Sequence, residues 1–196
     1  MKKEKNIDIK SLTSKQIEDE LKREIYKSKY TKILKSTIYS LITIAAVAAL
    51  IATLIMPVLQ INGTSMNPTL NQDEIVLSLK TKNIEQGDII AFYHGNKILV
   101  KRVIAKSGQW VNMDDKGNVY IDGKILREPY IKKKDLGDVG IEFPYQVPDG
   151  DYFVLGDYRL NSIDSRNSEI QSIDHKDLVG KIVLRVWPLN QLGKVS

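Results

Sequence analysis

Thirty-seven consecutive residues, Ser36 to Gln72, carry no charge in a chain where 27% of residues are charged. The centre of that run, Ile38 to Leu59, is almost wholly apolar. At about 1.5 Å of rise per helical residue it spans the roughly 30 Å hydrocarbon layer of a bilayer. A cleavable secretory signal has a shorter apolar core nearer the N-terminus and a small-residue cleavage site. A core helix inside a globular domain does not need charge excluded over so long a stretch. The run predicts one membrane-spanning helix over residues 37–59, with a tail at 1–36 and an outer domain at 60–196.

Charge orients the span. Up to Lys35 there are 11 Lys and Arg against 6 Asp and Glu, and from Ser36 onward 18 against 18, so the whole excess of +5 lies in the tail. A basic nucleic-acid groove on the outer domain is therefore not expected. A tail beside an anionic membrane surface is. Lys22, Arg23, Lys27, Lys29, Lys32 and Lys35 crowd the N-terminal flank, and the first basic residue after the span is Lys80. The positive-inside rule puts the tail in the cytoplasm and the outer domain outside the cell membrane. Residues 1–12 are polar and lysine-rich. A helix is expected from Thr13, where Thr13 and Gln16 have capping-box spacing and Ile17, Leu21 and Ile25 recur every four residues. That helix is either a solvated juxtamembrane segment or one that lies on a membrane or partner.

With no cysteine, disulfides and thiol chemistry are excluded. Two histidines, His94 and His175, with no His-Glu-x-x-His pair, argue against a metal site. No metal and no cofactor are expected.

Past Leu70 the pattern changes to short apolar runs broken by turn signals. Ile75–Leu79, Asp88–His94, Lys97–Ala105, Tyr152–Leu155 and Val179–Trp187 read as strands. Gly95-Asn96 and Asp122-Gly123 read as hairpin turns, the latter within Asn118–Leu126. The pattern predicts a mainly β outer domain, a barrel or sandwich. Residues 127–147 are looser. Their Lys132-Lys133-Lys134 run is either a solvated loop or a contact with lipid headgroups.

Three segments carry chemistry. In Gly63-Thr64-Ser65-Met66-Asn67-Pro68, a serine sits in a turn just after the span. The turn is either structural or the seat of a nucleophile, and a serine hydroxyl needs a base. Both histidines lie in polar, turn-rich surroundings and are expected to be exposed. Lys101 lies mid-strand, and alternation puts it on one face with Leu99, Val103 and Ala105. Burial there favours the neutral amine, so Lys101 is either a base or a strand lysine whose head reaches solvent. Arg102, on the other face, cannot deprotonate usefully. The third segment, Gly156 to Arg166, mixes turn formers with Asp157, Asp164, Arg159 and Arg166, which can brace a loop through bidentate pairs. Ser162 could offer a hydroxyl to a neutral lysine amine.

In this order, behind one anchor, the segments closely resemble bacterial type I signal peptidases. The family's serine box stands here as Ser65-Met66-Asn67-Pro68-Thr69-Leu70, and its lysine box as Lys101-Arg102-Val103. Its third box, Gly-Asp-Asn-Arg-x-x-Ser-x-Asp-Ser-Arg, matches Gly156 to Arg166 except that Tyr158 replaces Asn. The resemblance covers about residues 38 to 188. It implies a signal-peptidase-like β domain and a serine/lysine dyad of prokaryotic type, with Ser65 the nucleophile and Lys101 the general base. It also implies that Ser162 hydrogen-bonds the lysine amine, that Asp164 and Arg166 brace the site, and that Gly156 and Asp157 shape the loop. The Ser65 N–H would be one oxyanion donor. Some members supply the other from a serine two places earlier, where this chain has Gly63, so a backbone group or Thr64 substitutes or the hole is weaker. Substrates would be secretory preproteins with small residues, Ala-x-Ala, before the cut, bound beside a sheet edge, with Met66 a candidate pocket residue. The implied enzyme is a monomer on a phospholipid membrane with no nucleic-acid partner.

Three rival readings remain: a soluble self-cleaving serine/lysine regulator, which the span disfavours; a specialised maturation peptidase; and a non-catalytic anchored β module, which needs no lysine on an apolar strand face.

Overall fold

The structure, a computed structural model, describes residues 13–195. The lysine-rich segment at 1–12 lies outside the described residues. Helix α1 runs Ser14–Ile55. It begins where the sequence places its cap: Gln16 Oε1 accepts the Thr13 N–H at 3.0 Å, and the Thr13 carbonyl accepts from Gln16 and Ile17. Its first turns carry Lys22–Glu18 and Lys27–Glu24 pairs, which are exposed and contribute little. Further on, Leu41, Ile42, Ile44, Val47, Leu50 and Ile51 are all exposed. This is the one helix among the described residues long and apolar enough to cross a membrane.

The helix ends four residues short of the predicted position 59. Pro57 disfavours helical geometry at Met56. The carbonyls at the break are claimed from the segment around residues 78–80: Ile55 O accepts Lys80 N–H at 3.1 Å, and Pro57 O accepts Ser78 N–H at 2.9 Å. The chain divides into two units, one through Ile51 and one from Ala52 onward.

The second unit is β-rich, as its turn-punctuated apolar runs require. Its strands are β1 (Val58–Gln60), β2 (Ile75–Leu79), β3 (Ile89–His94), β4 (Lys97–Lys106), β5 (Trp110–Met113), β6 (Val119–Ile121), β7 (Lys124–Ile125), β8 (Tyr145–Gln146), β9 (Asp151–Leu155), β10 (Ile173–Asp174), β11 (Leu178–Trp187) and β12 (Gly193–Lys194). Seven lie in the order β1-β2-β11-β3-β4-β9-β10, with β12 added to β11, and the other four form a sheet in the order β7-β6-β5-β8. The first path is open at β1 and β10, so the fold is mainly β but no closed barrel. The runs read as strands became β2, β3, β4, β9 and β11. The unread ones, β1, β5, β8, β10 and β12, have four residues or fewer, too few to show a period.

Three buried clusters fill the domain. The first matters most for the site: Ile61, Met66 and Leu70, from the serine segment, pack with Val76, Ile89, Ala91 and Ile182. Strand β4 is central and buried over Lys101 to Ala105. A bulge in its pairing with β9 falls between Val103 and Ala105. Val103 accordingly packs in one cluster, and Ile104 and Ala105 in another. The bulge breaks the alternation that was expected to keep Ala105 on the face of Lys101.

Candidate active site

Residues 61–74 form a loop between β1 and β2, closed at its base by Ile61 N–H to Glu74 O and Asp73 N–H to Ile61 O, both 2.8 Å. Within it Asn67 N–H donates to Thr64 O at 3.0 Å and Leu70 N–H to Met66 O at 2.9 Å. Ile61 and Met66 sink into the first core cluster, as does Leu70, which leaves Ser65, just before Met66, partly buried. Gly63 has φ +89°, a backbone state that disfavours a side chain there. The Asn67–Pro68 peptide is cis. Ser65 O accepts the Tyr158 N–H at 3.0 Å. The N–H of Ser65 itself has no hydrogen-bond partner among the described residues, so it remains available to a ligand.

Lys101 reaches this loop from β4. Its Nζ donates to Ser65 Oγ at 2.7 Å, and the residue is 3% exposed. No carboxylate among the described residues forms an ion pair with it. Burial therefore lowers its pKa to about 8; Arg166 pushes the same way, while Asp164 and Asp157 oppose. A lysine so placed loses its proton at mildly alkaline pH, after which the serine hydroxyl can donate to the amine.

The loop after β9 closes the site. Gly156 N–H donates to Asp164 Oδ2 at 2.9 Å. Asp164 in turn takes Arg166 Nε at 2.9 Å and Nη2 at 2.8 Å. Arg166 also ties the neighbouring chain through Leu136 O at 2.7 Å and Arg159 O at 2.9 Å. A Cβ on Gly156 would stand 2.1 Å from Ser162 Oγ and 2.6 Å from Ser65 O, so only glycine permits the loop to lie against the serine. Ser162 is thus inside the cluster, but its Oγ is buried without a hydrogen-bond partner; the bond to Lys101 implied by the resemblance is not formed.

Residues 34–187 match the family described as signal peptidase, peptidase S26. The chain belongs to that family. A Signal peptidase I from Bacillus licheniformis is 38% identical over 79% of this chain and 90% of its own length. Signal peptidase I U from Bacillus subtilis is 34% identical over 86% and 95%. A signal peptidase I crystal structure from Enterococcus faecalis is 29% identical, covering 52% of this chain and 98% of its own, with a TM-score of 0.44.

In this signal peptidase family member the three boxes come together from β1–β2, β4 and β9 onward. Met66 does double service: it is 2% exposed, in the core, yet borders a groove of about 600 Å³ along Val58–Gly63 and Asn96–Lys101 that ends at Ser65. His94 and His175 are half-buried rather than exposed. His175 Nδ1 meets Tyr152 OH at 3.2 Å, and neither ring has a bond to Ser65 or Lys101.

The sequence reading missed the clamp on the far side of the serine loop. Arg102 donates through Nε and Nη2 to Asp157 at 2.9 and 2.8 Å. Asp157 also accepts Thr69 Oγ1 at 2.5 Å, and the guanidinium lies 3.9 Å over the Tyr130 ring. From β11, Arg185 Nη2 donates to Thr69 O at 2.5 Å, and its Nε lies 2.9 Å from Glu74 Oε2 without hydrogen-bond alignment. Arg159 and Glu128 form a further buried pair. A charged residue inside an apolar strand run, as in Val183-Leu184-Arg185-Val186-Trp187, is the signal by which Arg185 could have been found.

Proposed function

We propose that Ser65 is the nucleophile and Lys101 the general base of a membrane-anchored peptidase that removes signal peptides from secretory preproteins. The contact that carries this reading is Lys101 Nζ to Ser65 Oγ, 2.7 Å, made by a buried lysine that forms no ion pair among the described residues. Neutral Lys101 takes the serine proton as Oγ attacks the scissile carbonyl, and the ammonium then protonates the leaving amine. The Ser65 N–H, unbonded and next to Oγ, is one donor for the developing oxyanion. Gly63 offers no hydroxyl, and Thr64 is exposed and forms no side-chain bond among the described residues, so a backbone group or Thr64 is the second donor. Asp164 with Arg166, and Gly156 with Asp157, hold the loop against the serine, and Ser162 turns its free hydroxyl to the amine once the lysine is neutral.

The groove suits an extended peptide. Strand β4 pairs with β9 only from Arg102 onward, so Lys97–Lys101 presents an unpaired edge, and β1 is an edge strand. Both edges border the groove, and main-chain bonds to them would hold the residues before the cut. Met66 at its floor limits depth and favours short side chains of the Ala-x-Ala kind. Residues 37–55 are the anchor, the basic tail lies in the cytoplasm and the β domain outside the cell membrane, as the charge asymmetry directs. All named site residues come from one chain, so a monomer suffices.

The test incubates purified chain with a preprotein in detergent and reads the new N-terminus by mass spectrometry. Cleavage after Ala-x-Ala is expected, falling about 10⁴-fold or more in Ser65→Ala and in Lys101→Ala. Cleavage by Lys101→Ala at near-parent rate would remove the dyad reading.

A further inference from the structure

A second pocket, of about 250 Å³, opens on the other side of the serine loop, lined by Asn67, Pro68, Asp157 and Tyr158 and by Lys132 and Lys133. It shares no residue with the groove that ends at Ser65. Asn67 and Pro68 follow the serine by two and three positions, and the Tyr158 N–H is bonded to Ser65 O. If the residues before the cut fill the groove, the chain beyond the cut leaves past this pocket. Its size suits one side chain rather than a small-molecule ligand.

Its charge is positive and unspent. The carboxylate of Asp157 is buried and held on both oxygens by Arg102, with Thr69 as well, so that wall contributes no free negative charge. Within the Lys132–Lys134 run the three lysines differ. Lys134 Nζ is tied to Asn118 Oδ1 at 2.9 Å and half-buried. Lys132 and Lys133 are exposed, and neither has an ion pair or hydrogen bond among the described residues. The wall also holds a polar atom without a partner, Asn67 Oδ1. Tyr158 supplies an aromatic side at the position where this chain departs from the resembled box.

We propose that this pocket is a subsite for the mature side of the substrate and that Lys132 and Lys133 select an acidic side chain within the first three residues after the cut. The proposal rests on Ser65 as the nucleophile. An anionic lipid headgroup has the same charge, but the pocket's place on the serine loop favours the substrate. The energy is that of solvent-accessible ion pairs, so the effect is a preference rather than a requirement, and salt weakens it.

The experiment uses the full chain in neutral detergent and one preprotein with its Ala-x-Ala site fixed. Asp, Gln and Lys are placed in turn at the first, second and third positions after the cut, and kcat/KM is measured for each. At one of the three positions Asp is expected to exceed Lys by about tenfold at low salt, with the ratio shrinking in 0.5 M NaCl. The ratio should approach one in Lys132→Ala/Lys133→Ala and invert in Lys132→Glu/Lys133→Glu. A merely structural role for the two lysines would change rates but not this ratio. Equal cleavage of Asp and Lys substrates by the parent chain at all three positions overturns the proposal, while loss of cleavage in Ser65→Ala leaves the peptidase reading standing. A flat ratio, joined to an activity that climbs with phosphatidylglycerol content and loses that climb in the double variant, also overturns it, in favour of a lipid contact.

Discussion

Lys101 and Arg102 are consecutive residues of one strand, both buried, yet they have opposite fates. Arg102 meets a carboxylate in a two-pronged pair, a carbonyl at Gly87 and an aromatic face at Tyr130. Every feature of that pocket favours the cation, and a guanidinium stays protonated in any case. Lys101 meets a hydroxyl. Asp164 and Asp157 offset only part of the lost hydration, so the amine is pushed toward neutrality. Burial of a cation beside an anion makes a brace; burial without one makes a base. The two acidic groups nearest Lys101 are already committed, Asp164 to Arg166 and Asp157 to Arg102, which limits how far they can hold its proton.

The largest expected effect comes from giving the base position the chemistry of its neighbour. Lys101→Arg keeps the charge but cannot deprotonate, and cleavage should fall about 10⁴-fold with the domain still folded by circular dichroism. Retained activity would mean that the base lies elsewhere. Asp157→Asn attacks the brace instead, leaving Arg102 buried without its anion. A destabilisation of about 3–5 kcal/mol is expected in denaturant titrations. A change under 1 kcal/mol would show that the pair is not what holds the loop.

The pH dependence distinguishes the two cations directly. With a pKa of about 8, Lys101 is mostly protonated at pH 6 and mostly neutral at pH 9. Single-turnover cleavage should rise about tenfold per pH unit below 8 and level off above it. A profile flat from pH 6 to 10 would contradict a lysine base.

Gly156→Ala tests the closeness of the third box, since the added methyl meets Ser162 and the Ser65 carbonyl. It should cost about 1–3 kcal/mol of stability, and a larger share of activity than of stability is expected because the displaced group is the nucleophile's own backbone.

The smallest effect has the opposite sign. Lys101 has a folded pKa below its unfolded one, so between about pH 8 and 10.5 the unfolded chain holds a proton that the folded chain lacks. Stability therefore rises with pH through that window, and the cost of burying the amine is fully present below 8, at about 3 kcal/mol. Lys101→Met should stabilise the domain by about 1–2 kcal/mol at pH 7, the lost bond to Ser65 offsetting part of the gain, and the difference should reverse sign by pH 11, where the parent is the more stable by about 1–2 kcal/mol. A variant less stable than the parent at pH 7 would mean that Lys101 is not held against its own charge.

How much of this was legible depends on range. The helix cap at Thr13, the five longer strands and the anchor follow from contacts or periods confined to a few residues, and the sequence displays those. Apolarity alone carries the span to Leu59, but Pro57 stops the helix at Ile55 and pairing with β2 makes a strand of Val58–Gln60. The three boxes were visible as residues, but the Arg102–Asp157–Thr69 clamp was not. Its members are 33 to 88 positions apart, and nothing local distinguishes Thr69 from any turn threonine.

By itself the sequence determined that the chain has one apolar span, a mainly β domain after it, and a serine, a lysine and a charged loop of one recognisable pattern. Alternation put Lys101 and Arg102 on opposite faces of a strand, because side chains of an extended chain point alternately to either side. Only the tertiary structure decided what each face meets. Setting β4 between β3 and β9 and folding the serine loop beside it gave Arg102 an anion and Lys101 a hydroxyl. The charge state of a buried amine is fixed by the groups packed around it, and those arrive from distant parts of the chain.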